Sequence, residues 1–366
     1  MSQAARTSEP WHEPWPADGL ESVPTCPVCG AAGRSLLFAD LVDKVFRVAP
    51  GRWQLWRCHG CGSAYLDPRP SIDTIHLAYS NYYTHAEPAA KDDFDRLSSL
   101  RKLRRRLVNG YTRWRFSNGE EPYSYWGLPL LFALPSQRRR LDSEYRHLPK
   151  RLTEEGALLD IGCGNGDFLH IAARCGWHVM GIDPDAGAAD ACRRRGLHVV
   201  HGSIGALDSA QDQFDVITLS HVIEHVHDPL GLLRACHRLL KPNGQIWIQT
   251  PSITSEASRR YGCSWRGLEP PRHLVLFNYR SLRDALRHVG FHRMRCCAVP
   301  NPIKWIANAS NNIQGDVADS AYKASIVGQR LFLAKACLYQ ALSPSSREFL
   351  TLAAYKTGTL SGTVST

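Results

Sequence analysis

The chain has 366 residues and a formal net charge of +10, so it exceeds one average domain and suits a catalytic-sized core with a smaller module. Apolar residues make up 43%, yet no uninterrupted apolar run approaches the ~20 residues needed to cross a bilayer. The polar, Pro- and Trp-rich start lacks the basic-then-apolar order of a secretory signal, so a soluble cytoplasmic protein is expected.

Residues 1–24 read as a flexible lead-in. Residues 25–70 hold two matched knuckles, Cys26-Pro27-Val28-Cys29-Gly30 and Cys58-His59-Gly60-Cys61-Gly62. Each glycine lets the backbone turn its amides toward thiolate sulfurs, and four thiolates in two such turns make a closed, tetrahedral, structural Zn²⁺ site. The twelve cysteines therefore read as reduced thiols plus one metal site, not as a disulfide framework. The long gap between the knuckles leaves room for a hairpin over Phe46–Trp56.

Residues 71–155 read as a basic helical connector or lid. Cations crowd Arg101–Arg106 and Arg138–Arg140, with Trp114 and other aromatics between them. This allows a phosphate-bearing partner (nucleic acid, nucleotide-sugar or membrane surface) and equally a solvated helical face.

From residue 156 to 366 apolar runs alternate with helical stretches. Strands are expected at 157–161, 178–182, 197–201, 214–219 and 245–250. Helices are expected near 167–175, 185–195 and 228–240, the last stopped by Lys241-Pro242-Asn243-Gly244. Such alternation gives an α/β fold, a mostly parallel sheet with helices on both faces. A further helix over Ser281–Val289 and two closing strands, Arg293–Val299 and Phe349–Ala354, flank a helical insertion near 302–343. Its Leu331-Phe332-Leu333 and Leu338 suit pocket covering, subunit pairing or membrane contact.

The first core strand ends in Asp160 and runs into Gly162, Gly164 and Gly166; the second ends in Asp183. Acids closing two neighbouring parallel strands beside a glycine loop make a nucleotide-type site. The spacing is G-x-G-x-G, not G-x-G-x-x-G, and Asp167 follows at once; an acid there suits a helix start but repels a pyrophosphate. A ligand with an ammonium for Asp160 and a ribose for Asp183 fits better.

The segments LLDIGCGNGDFL, GIDPD, FDVITLSHVIEHVHDP and LKPNGQIWIQTP, in this order and spacing, resemble class I S-adenosylmethionine-dependent methyltransferases over roughly residues 136–300. The resemblance implies a Rossmann-like methyltransferase fold with a seven-stranded sheet, and S-adenosylmethionine as cofactor. It places Gly162, Gly164 and Gly166 under the methionine part, Asp183 on the ribose, and Gly202-Ser203-Ile204 against the adenine. Families usually carry an acid near Ser203, which this chain lacks. The expected cofactor set is completed by Asp160, Cys163, Pro184 and Ser220.

Methyl transfer to an alcohol asks the protein for alignment and a base. His221-Val222-Ile223-Glu224-His225 follows the fourth strand and resembles the ExxEH metal motif of ubiquinone-pathway and small-RNA methyltransferases. With His221 in place of the first acid, a His221/Glu224/His225 set, joined by His273, would suit Zn²⁺ or Mn²⁺ better than Mg²⁺. The preferred reading is that Glu224 and His225 cap and brace the next helix while His221 alone faces the pocket. Residues 260–273 also resemble bacterial polysaccharide and secondary-metabolite methyltransferases. There Arg272 would clamp a phosphate or carboxylate and His273 would be the base, unless both simply pin a lid. The expected catalytic set is His221, His225, Arg272 and His273. The zinc module suits either a platform for the acceptor pocket, as in zinc-ribbon sugar methyltransferases, or an RNA reader. O-methylation of a sugar or related small molecule is the leading expectation. The alternatives are an RNA methyltransferase and a non-catalytic zinc-ribbon scaffold.

Overall fold

The computed structural model describes residues 9–79, 97–151, 155–315 and 326–358. The N-terminal part contributes five strands: β1 (Leu20–Glu21), β2 (Arg34–Leu41), β3 (Trp53–Cys58), β4 (Ala64–Leu66) and β5 (Arg69–Pro70). Helices α1 (Ser99–Phe116), α2 (Gly127–Ala133) and α3 (Pro135–Glu144) follow. The core alternates β6 (Ala157–Ile161), α4 (Asp167–Arg174), β7 (His178–Asp183), α5 (Ala186–Arg194), β8 (Val199–His201), β9 (Phe214–Ser220), α6 (Pro229–Leu239) and β10 (Leu240–Pro251). The chain then gives α7 (Glu256–Tyr261), β11 (Val275–Leu276), α8 (Tyr279–Val289), β12 (Phe291–Cys296), α9 (Ile303–Gly315), α10 (Ile326–Leu342) and β13 (Phe349–Lys356).

Seven strands form the main sheet in the order β8-β7-β6-β9-β10-β13-β12. The first five are parallel, and β13 runs antiparallel to both its neighbours. Strand order reverses between β6 and β9, the place where such sheets open a crevice for ligands. Side chains alternate between the two faces. Leu158 and Val216 join a cluster with Phe168, Leu169 and Ala172 of α4, whereas Leu159 and Ile217 join another with Leu232 and Leu233 of α6. Local signals fix the helix starts. Asp185 accepts from Gly187 N and Ala188 N, Asp228 precedes Pro229 and accepts from Gly231 N, and Asn278 caps α8 in a capping box.

Two expectations about the N-terminal part are corrected. The lead-in is built into the fold from residue 9 on. Trp15 is buried, donates to Gly19 O at 3.1 Å, and meets Trp53 edge-on at 5.2 Å, while β1 pairs with β5. A polar composition concealed this because a few residues, Trp15 and Val23 among them, carry the burial. The hairpin between the knuckles is β2–β3, not Phe46–Trp56; residues 42–52 form a loop that Asp43 ties by accepting from Phe46 N, Val48 N and Ala49 N at 3.1 Å each.

Nor is this module separate from the core. Its four-stranded sheet has the order β11-β4-β3-β2, so one edge strand comes from residues 275–276. One hydrophobic cluster runs from Trp15 and Leu55 through Val275 to Leu286. In the core, β10 starts at Leu240 and runs through Lys241–Gly244 with a register irregularity, where the sequence suggested a break.

Candidate active site

The turn after β6 carries all three glycines at positive φ: 68° at Gly162, 52° at Gly164 and 79° at Gly166. Their surroundings differ. A Cβ on Gly162 would meet Val222 Cγ2 at 2.5 Å, and one on Gly166 would meet Leu197 and Cys192 at 2.6 and 2.8 Å; at Gly164 nothing lies within 4 Å. The outer glycines are thus imposed by protein packing, and the middle one faces open space. Asp183 locks the loop by accepting from Gly164 N through Oδ2 at 2.8 Å and from Asp185 N through Oδ1 at 3.0 Å. Each of its oxygens keeps lone-pair capacity for a further donor.

Asp160 is fully buried, and burial pushes its carboxyl upward against the opposing pull of Arg146. Its Oδ1 accepts from Thr218 Oγ1 at 2.7 Å and pairs with the Arg146 guanidinium, while Oδ2 has no partner. Arg146 in turn lies over the Phe168 ring at 3.9 Å. The cation that Asp160 meets is therefore Arg146 of its own chain, a residue that sequence reasoning missed inside a basic run. Cys163 is buried beneath the loop, Pro184 is exposed and its carbonyl contacts His201 Nε2 at 3.0 Å, and exposed Ser203 precedes a 3₁₀ turn over Ile204–Leu207. Ser220 ends β9 opposite Gln249.

His221 follows with φ of 56°, next to Val222 that packs on Gly162. Its Nδ1 lies 3.2 Å from Oε1 of fully buried Glu224, and its ring meets Phe349 edge-on at 4.8 Å. Thr250 Oγ1 donates to the other Glu224 oxygen at 2.9 Å. Burial alone would raise the Glu224 carboxyl, but His221, with His225 and His273 behind it, outweighs burial and holds it at about 2. His225 is pushed down to about 4, chiefly by burial and then by His273. Its Nδ1 lies 3.0 Å from both Tyr79 Oη and the Arg272 carbonyl. One ligand atom each of Glu224, His225 and His273 lies within 4.8 Å of the others.

Residues 136–295 match the family described as a methyltransferase domain. The ubiquinone biosynthesis O-methyltransferase of Pseudomonas aeruginosa strain UCBPP-PA14 is 40% identical over 100 residues, which cover 25% of this chain and 43% of that protein. The one from Ruegeria pomeroyi is 35% identical over 164 residues, covering 40% and 65%. The chain thus spans less than half the length of the first of these relatives. A methyltransferase from Archaeoglobus fulgidus is similar in structure with 19% identity and a TM-score of 0.39, covering 64% of this chain and all of that one. Residues 136–295 are a methyltransferase domain.

Two expected roles around this domain's site change. Arg272 is not an acceptor clamp: it is wholly buried and forked onto Asp43 of the loop 42–52, with Nη1 also on Ala78 O at 2.8 Å. The bidentate carboxylate that its geometry asks for is the chain's own. His273 is likewise buried, with Nδ1 on Gly267 O at 2.8 Å, so it cannot reach an acceptor in this arrangement. The residues suited to a metal regroup as well: His273 replaces His221 beside Glu224 and His225. Tyr79, Thr250, Thr218 and Asp43 were invisible in the sequence, since each acts through a partner far along the chain and carries no local motif.

The methyltransferase domain is braced by the cysteine cluster. Sγ atoms of Cys26 and Cys61 are 3.7 Å apart and those of Cys29 and Cys58 are 3.5 Å apart. Four sulfurs about 2.3 Å from one Zn²⁺ sit about 3.8 Å from each other, so the cluster has the size of a tetrahedral zinc site. Gly30 and Gly62 both take φ of 74°, which gives the two knuckles the same turn. Cys61 O accepts from Asn278 Nδ2 at 2.8 Å, so the second knuckle is tied to the N-cap of α8.

Proposed function

We propose that the chain transfers a methyl group from S-adenosylmethionine to a hydroxyl of a small molecule, with a sugar or sugar-related metabolite as the leading acceptor. The observation that carries the reading is the His221–Glu224 pair at the carboxyl end of β9, beside the glycine turn. The donor site fits the cofactor: a Cβ at Gly164 would meet open space, the strand-end carboxylate of Asp183 is tied to that turn, and Asp160 Oδ2 at the end of β6 is buried without a partner. Gly162, Gly164 and Gly166 would hold the methionine part, Asp183 the ribose hydroxyls, and Ser203 with Ile204 the adenine side. When bound, S-adenosylmethionine supplies a methyl carbon already activated by its sulfonium.

What remains for the protein is proton removal and alignment. Ionised Glu224 accepts the Nδ1–H of His221, which sets the tautomer and leaves Nε2 as the basic nitrogen. The His221 side chain is 38% exposed while Glu224 is sealed, so the histidine reaches an acceptor and the acid only orients it. An oxygen acceptor also agrees with the relatives named ubiquinone biosynthesis O-methyltransferases; the preference for a sugar rests on the resemblance at 260–273. Cys26, Cys29, Cys58 and Cys61 hold a structural Zn²⁺ in this reading.

The test is a metabolite pool incubated with labelled S-adenosylmethionine and analysed by mass spectrometry, alongside calorimetry of cofactor binding. His221→Ala is expected to lower turnover by about 10²–10⁴ with cofactor affinity unchanged. Absence of cofactor binding would sink the methyltransferase reading, and unchanged turnover would remove His221 from it. The Glu224–His225–His273 cluster favours a second reading in which a divalent metal orients the acceptor; metal analysis showing a second ion beyond the cysteine site would support it.

A further inference from the structure

Helix α1 carries seven Arg and Lys and no acid, and α2 carries no charge at all. On α1, Leu100, Leu103, Leu107 and Trp114 recur at the spacing of one helical face. Two glycines bring the helices into contact there. A Cβ on Gly110 would fall onto the Ser124 carbonyl, and one on Gly127 onto the Leu107 carbonyl. Helix α2 thereby covers the middle of the α1 face and leaves its start in water, with Leu100 78% exposed. The outer side of α2 is also apolar: Trp126, 81% exposed, is followed at four-residue steps by Leu130 and Leu134, both exposed. Tyr123, Tyr125 and Phe132 are exposed around them, and exposed Arg101, Arg104, Arg139 and Arg140 belong to the flanking helices.

We propose that this α1–α2 face docks on an anionic phospholipid bilayer and lies in its interface. Aliphatic and aromatic side chains bounded by cations have the chemistry that enters the headgroup boundary while arginines hold anionic lipid. Among the described residues no helix is long and apolar enough to cross a membrane, so the contact is peripheral. RNA would stack on Trp126 but offers nothing to Leu100, Leu103 or Leu130. A second copy of the chain would set seven cations of one α1 near seven of the other. The opposite, buried side of α1 faces the core at its last turn, where Phe116 stacks on Tyr145 at 4.5 Å and the next residue, Arg146, closes on Asp160. The docking itself does not depend on the methyl-transfer reading.

The full chain is tested by flotation with phosphatidylcholine vesicles and with vesicles of phosphatidylcholine and phosphatidylglycerol. Binding is expected only to the anionic vesicles, and about tenfold or more weaker for Trp126→Ser combined with Leu130→Ser, whose exposed positions leave the thermal midpoint in place. Arg101→Ser with Arg104→Ser should weaken binding and flatten its salt dependence. Failure to float, or equal flotation of the variants and the parent chain, overturns the proposal. Self-association abolished by Trp126→Ser with Leu130→Ser would assign the face to a second copy instead. Retention of an RNA oligonucleotide that survives Leu130→Ser, without vesicle binding, would assign it to nucleic acid.

Discussion

Arg272 and Asp43 are both fully buried, and each supplies the other's charge. Asp43 spends its remaining capacity on three loop amides, and Arg272 lies over Phe46 at 4.3 Å. Removing one partner strands a buried charge, so Arg272→Met should destabilise the protein by about 3–5 kcal/mol in chemical denaturation. Asp43→Leu combined with Arg272→Met should lose less than the sum of the two single changes, because no unpaired ion remains. If the double variant loses the sum of the singles, the pair is not the unit described. At this scale the sequence was half legible. It marked Arg272 as a bidentate group near the site mouth but held no sign that its carboxylate lies 229 positions earlier. Likewise His221 was legible from its place after a strand, whereas Thr250 and Tyr79 became visible only when β10 and the turn before residue 80 were in position.

The glycine turn between β6 and α4 separates two reasons for the same residue. Gly166 is closed in by Leu197 and Cys192, so Gly166→Ala combines a clash with a left-handed backbone and should lower the thermal midpoint by several degrees. A Cβ on Gly164 would meet no protein atom, so Gly164→Ala carries only the backbone cost of roughly 1–2 kcal/mol. Its larger expected effect is on cofactor affinity, weakened about tenfold or more by calorimetry. Equal loss of affinity in the two variants at matched stability would contradict this division. Elements of this kind were the most legible part of the chain. Apolar runs located β6, β7 and β9, the first two marked also by Asp160 and Asp183 at their ends, because parallel buried strands are near-continuous apolar runs. By contrast β1, β5 and β11 have two residues each, too short for any periodicity to register. The Lys241–Gly244 segment reads as a stop by composition, yet β10 carries it as an irregularity.

On the scale of the whole molecule, the cysteine module and the methyltransferase domain share one hydrophobic cluster and one sheet edge. Zinc bound at four thiolates would therefore stabilise more than its own loops. Removing it with a chelator should lower the midpoint by at least ~10 °C and weaken S-adenosylmethionine binding with it, in a single calorimetric transition. Two separate transitions, with the donor site intact after chelation, would show independent units. The sequence suggested such a boundary near residue 70 because Asp67-Pro68-Arg69-Pro70 is rich in turn residues. Burial across chain-distant segments has no compositional mark, and so the continuity was not readable.

The origin of strand β11 also sets a clock for synthesis. The sheet holding the cysteine knuckles lacks its edge until Leu276 has emerged, some two hundred residues after Cys61. At ~5–20 residues per second that is a delay of roughly 10–40 s on the ribosome. For that interval the thiols wait in an unfinished sheet, open to oxidation or to a wrong metal, and a zinc ion bound at these thiolates would have to be captured in competition with both.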